Sequence, residues 1–158
     1  NKNNYIQMKI LTKVVIILLF CSLFVLSFNF CVAASNIPLK KYLSDKNIEE
    51  PENLIFLLQR CSAIYTFASA VLLEKDVTNS KKFIDIASDL LFKSTELLVI
   101  EFNYKFENAE KRSSERRKEF FEIYVEDGKK NWAENNSYFK GSYISEDMLV
   151  CSKLVEDQ

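Results

Sequence analysis

Beyond residue 34, the side chains with the most reactive chemistry are the thiols of Cys61 and Cys151. A thiol can attack, bind a metal or pair with a second thiol, and the first two need the thiolate. The 158-residue chain contains no histidine. A catalytic thiolate would therefore have to be generated by a lysine, an arginine or a helix terminus. Cys61 instead lies between Leu58 and Tyr65 in an apolar helical pattern, and apolar surroundings favour the neutral thiol. Cys151, between Met148 and Val155, lies on a similar face. Pairing is the chemistry that remains. Two cysteines in an oxidising compartment usually bond. A Cys61–Cys151 bridge would close a loop of about 90 residues, worth roughly 4–5 kcal/mol in the chain-entropy account.

The missing histidine also removes Ser-His-Asp catalysis, histidine zinc sites, haem attachment and the Glu-x-x-His iron ligands of ferritin-like bundles. Carboxylate pairs remain, Asp85 with Asp89 and Glu119 with Glu122. General acid–base catalysis needs two carboxyls in contrasting environments within one cleft. These pairs stand beside lysines and arginines, the pattern of a solvated helix face. Glu126-Asp127-Gly128 lacks the alternating oxygen ligands of a calcium loop. The expectation is no catalytic residue, no metal ligand and no cofactor.

Charge narrows the partners. The chain holds 21 basic and 22 acidic side chains; Lys2, Lys9 and Lys13 fall before residue 35 and no acid does, leaving 18 against 22. Mild acidity is unsuited to gripping a phosphate backbone, so nucleic acid is not an expected partner. Arg112, Arg116, Arg117 and Lys118 cluster, but Glu110, Glu115 and Glu119 dilute their field. Tyr138, Phe139 and Tyr143 fall in a loop with Gly141. They are candidates for a lid over the open end of a bundle, the preferred reading, or for a contact surface. Asn135-Asn136-Ser137 matches a glycosylation sequon, which matters only in a eukaryotic secretory pathway.

The elements that must hold these residues read as helices. Two glycines and two prolines are too few for a turn-rich all-β fold, and parallel α/β folds also lose ground. Pro51 suits the first position of a helix, and Leu54, Leu57, Leu58, Cys61, Ile64, Tyr65, Ala68, Val71 and Leu72 carry the three-four spacing of a buried stripe over 51–75. Thr78, Asn79 or Ser80 could cap a second helix reaching about Phe106, with Phe83, Ala87, Leu90 and Leu98 on one face and Phe92, Val99 and Phe106 on a second. That helix is expected at the centre of the fold. A third runs from the charged stretch at 107–119 to Asn135-Asn136, with Phe121, Val125, Gly128 and Trp132 on its apolar face; no Gly or Pro marks where it begins. A short fourth spans about 146–155, capped by Ser145, with Ile144 and Leu149 as a hydrophobic staple. The fold class is all-α: a small bundle of three long helices plus a short C-terminal helix, tied by one disulfide.

Residues 1–34 carry the pattern of a secretory signal. Met8 is the natural initiator, Lys9 and Lys13 form a positive start, and an apolar run covers Val14 to Phe28. Val32-Ala33-Ala34 presents small residues where signal peptidase cuts, which places cleavage after Ala34. Residues 35–50 read as a polar arm and 51–158 as the helical domain. The expected function is that of a periplasmic or secreted protein, a non-catalytic module binding another protein or a cell-envelope component. A carboxylate-based enzyme is the alternative, as is a bundle anchored by an uncleaved N-terminal segment.

Overall fold

The computed structural model describes residues 37–156. The export segment and its cleavage point after Ala34 lie outside the described residues. Five helices follow one another: α1 (Leu39–Leu43), α2 (Pro51–Leu72), α3 (Val77–Phe102), α4 (Phe106–Asn135) and α5 (Tyr143–Glu156). The described residues contain no strand. The architecture is all-α, three long helices with a short C-terminal one, as the apolar periodicity indicates.

α2 is the centre of the bundle, the place expected for the next helix. It packs on α3, α4 and α5, and burial runs almost round its circumference, from Leu57 and Leu58 to Cys61, Ile64, Phe67 and Ala68. A helix apolar on every side belongs inside other helices. Length and hydropathy alone would let α2 cross a membrane, but a mostly buried core helix has the same composition. Small polar residues let α2, α3 and α4 approach one another closely. The Ser62 hydroxyl donates to the Ala87 carbonyl at 2.6 Å, Ser69 and Ser80 exchange bonds, and Ser94 donates to Ser113 at 3.1 Å. Gly128 serves the same end: a Cβ there would stand 2.5 Å from Cζ of Phe67.

The helix ends show what stops each element. Pro51 stands at the first position of α2. The cap of α3 is Asp76, upstream of the expected Thr78, Asn79 or Ser80; its carboxylate accepts from the Asn79 amide at 3.0 Å. The turn between α3 and α4 is made by Asn103 at φ 55°, a left-handed position that asparagine tolerates. α5 begins at Tyr143, before the expected Ser145, because Gly141 turns the chain at φ 87° and the Ser142 hydroxyl accepts from the Ile144 amide. The Ile144–Leu149 staple does not form: Ile144 is fully buried and Leu149 is 63% exposed.

Within the stretch read as a polar arm, α1 is part of the body. Leu39 is fully buried, and Tyr42 stacks on Phe56 with ring centroids 4.0 Å apart. On α3, the expected second apolar stripe is largely solvent-facing: Phe92 is 53% exposed, and Phe106, which starts α4, is 50% exposed. The buried face of α4 is Phe120, Tyr124, Gly128 and Asn131, rotated from the expected Phe121, Val125 and Trp132.

The Asp76 cap gives a pH-dependent prediction. Hydrogen bonds from the Asn79 amide and side chain hold its carboxyl below the ordinary carboxylate range. A depressed folded value means the cap's contribution is present at neutral pH and lost as pH falls through that value. Asp76→Ala is expected to lower the melting temperature at neutral pH, with the gap to the native protein closing in strong acid. Thermal melts across pH measure it; a gap independent of pH would rule out the ionised cap.

Candidate functional site

The chemistry in the core gathers where α5 crosses α2. The Sγ atoms of Cys61 and Cys151 are at bonding distance, with Cα atoms 5.3 Å apart, within the range a disulfide demands. Both residues are fully buried. One position before Cys61 stands Arg60, and four before Cys151 stands Asp147. Their charged ends meet: Arg60 Nη2 donates to Asp147 Oδ2 at 2.7 Å, with side chains 1% and 0% exposed. Residues four apart share a helix face, so the pair on α5 presents a carboxylate and a sulfur to the consecutive pair on α2.

Two more groups complete the cluster. Tyr124 of α4 accepts from Arg60 Nε at 3.0 Å and donates to Asp147 Oδ2 at 2.8 Å. The Leu39 amide, at the start of α1, donates to Asp147 Oδ1 at 2.6 Å. Four segments, α1, α2, α4 and α5, are thus joined on one carboxylate. The Arg60 guanidinium also lies between the Phe120 and Tyr124 rings, 5.8 and 5.7 Å from their centroids, a geometry in which ring faces attract a cation. Burial raises the Asp147 carboxyl above its ordinary value, against the opposing pull of Arg60 and the Leu39 and Tyr124 hydrogen bonds. Burial also pushes the Tyr124 phenol well up, so it remains a neutral donor. The cluster is sealed from solvent and open to no substrate; its work is to hold helices together.

The aromatic loop stands nearby. Tyr138 and Phe139 pack on Phe67, with centroids 6.1 and 5.4 Å away, and Tyr138 stacks on Trp132 at 4.8 Å. Tyr143 donates to Asp127 Oδ2 at 2.7 Å, and burial with that bond keeps its phenol neutral. Asn131 fixes the loop from below, its amide donating to the carbonyls of Ser137 at 2.7 Å and Lys140 at 3.0 Å. All three aromatics are half-buried, Tyr143 as the first residue of α5 and not in the expected loop. Tyr138 and Tyr143 cover the bundle, while Phe139 also faces outward into a recess.

That recess, about 370 Å³, lies between the end of α2, the start of α3, the loop and α5. Leu72, Phe83, Phe139, Met148 and Leu149 wall it. Ser145 also lines it, but its hydroxyl is turned onto the Ser142 carbonyl at 2.9 Å. Such a wall is apolar and offers nothing to polarise a bond. The carboxylates weighed from the sequence are elsewhere. Asp85 and Asp89 share a shallow trough on α3 with Lys81 and Lys82. Glu119 accepts from Arg116 at 2.6 Å, and Glu122 lies 3.9 Å from Lys118.

The Arg60–Tyr124–Asp147 cluster escaped sequence reasoning, in which Asp147 is simply a first-turn residue of the short helix capped by Ser145. A signal for it existed: Arg60 is the one basic residue in α2, and a cation inside an apolar helix needs a buried partner. Protein-family models, curated proteins and solved structures contain no match to this chain.

Proposed function

We propose that this is an exported, non-catalytic protein that works by binding another protein of the cell envelope, taking an apolar group of that partner into the recess beside Phe139. The carrying observation is the recess itself: a concave apolar wall with Leu149 63% exposed at its lip. Contiguous exposed apolar surface on a small folded protein marks an interaction site. The Cys61–Cys151 pair supports an oxidising compartment, in keeping with the signal-like pattern at Lys9 to Ala34. The sealed polar cluster stabilises the bundle that presents the recess.

A photo-crosslinking residue at Leu149, compared with one at exposed Glu110, tests this reading in cells producing the full chain. The expected result is export with a new N-terminus at Ser35 and a discrete adduct formed from position 149 alone. Identical adduct patterns from both positions would defeat the binding surface. Intact protein retained in the membrane fraction would favour the uncleaved anchor.

A further inference from the structure

A second surface lies at the other end of the bundle, where α2 begins and α3 turns into α4. Inside, that end is closed by Ile55, Leu98 and Ala109. Outside, Ile100 is 68% exposed, Phe106 50%, Ile48 49% and Phe102 38%. Single exposed apolar side chains are ordinary. Phe102 and Phe106 flank the α3–α4 turn and carry the apolar patch at this end, while Ile100, two positions before Phe102, projects from another side of α3.

The charge around the patch has one predominant sign. Segments 45–50 and 101–107 carry Asp45, Glu49, Glu50, Glu101 and Glu107 against Lys46 and Lys105, all of them exposed. Arg112, farther along α4, is turned onto the Tyr104 hydroxyl at 3.2 Å. Such a rim repels an anionic membrane, and a second copy brought face to face would set acid against acid. A surface with apolar residues flanked by lysine or arginine complements it in both respects.

We propose that this end binds a basic amphipathic helix of a partner protein. Phe102 and Phe106 receive its apolar face, as in helix recognition generally, while Glu101 and Glu107 meet its cations. The patch is remote from the recess beside Phe139 and does not rest on that reading. With both surfaces in use, the chain bridges two partners.

The test is a fluorescence-anisotropy titration of the exported protein with a dye-labelled amphipathic Leu/Lys helical peptide. Saturable, salt-sensitive binding is expected. Phe102→Ser combined with Phe106→Ser should weaken it about 10-fold, and Glu101→Lys combined with Glu107→Lys by a similar factor. Leu149→Lys should leave it unchanged. The altered positions are solvent-facing, and circular-dichroism melts verify that each variant is folded. Absence of saturable binding, equal affinity in the native protein and both double variants, or equal binding of a Leu/Glu peptide would each overturn the proposal. Self-association through this end, or binding to phosphatidylglycerol vesicles in place of the peptide, would overturn it as well.

Discussion

Replacing Asp147 with alanine is expected to cost about 3–5 kcal/mol of stability, the usual result of leaving a buried partner charge uncompensated. The change strands three groups at once. The Arg60 cation stays at 1% exposure without its anion, the Tyr124 hydroxyl loses its acceptor, and the Leu39 amide loses its bond. Arg60→Ala should be comparably damaging, because it leaves the carboxylate buried. The informative variant is double: Arg60→Met with Asp147→Leu removes both charges and should be milder than either single change. Urea unfolding measures all three. Hydrogen exchange adds a readout specific to this geometry, since Asp147→Ala should release the Leu39 amide while the α2 interior stays protected. A double variant as unstable as the sum of the singles would mean that the two charges do not act on each other.

Cys61→Ser and Cys151→Ser are each expected to lower stability by about 2–4 kcal/mol, and the double variant should be little worse than either. For a domain of this size that corresponds to roughly 8–15 °C in melting temperature. The bridge spans a sequence separation of 90, which is why chain entropy makes it large. It also fastens a 14-residue helix, a length marginal in isolation. Additive losses in the double variant would show two independent buried thiols. Reductant should reproduce the loss in the native protein and leave both serine variants unaffected.

The two clamps differ in how visible they are before folding. The cysteine pair follows from the absence of histidine and from two apolar faces, each needing a partner. The Arg60–Asp147 pair was hidden by position: an acid beside Glu146 near a helix start reads as a response to the helix dipole. Because α5 starts at Tyr143, Asp147 stands beyond its first turn, and it shares the inner face with Ile144 and Cys151. The identity of the central helix was hidden in a similar way. Periodicity marks a stripe on the second long helix, but α2 is buried nearly all round, and full burial flattens the periodic signal. The α3–α4 turn carries neither glycine nor proline because Asn103 takes the left-handed position. Phe139 was legible as an aromatic in a loop, and only the packing of α5 against α2 shows that it also walls a recess.

The bundle stapled through α5 and the proposed binding role outside the cytoplasm both depend on the state of two sulfurs. The most direct test counts free thiols in the exported protein, purified by its native route and denatured without reductant. No free thiol per mature chain is the expected result, with two appearing after reduction and a peptide map linking Cys61 to Cys151. Two free thiols before reduction would contradict the stapled bundle and remove the oxidising compartment on which the functional reading rests.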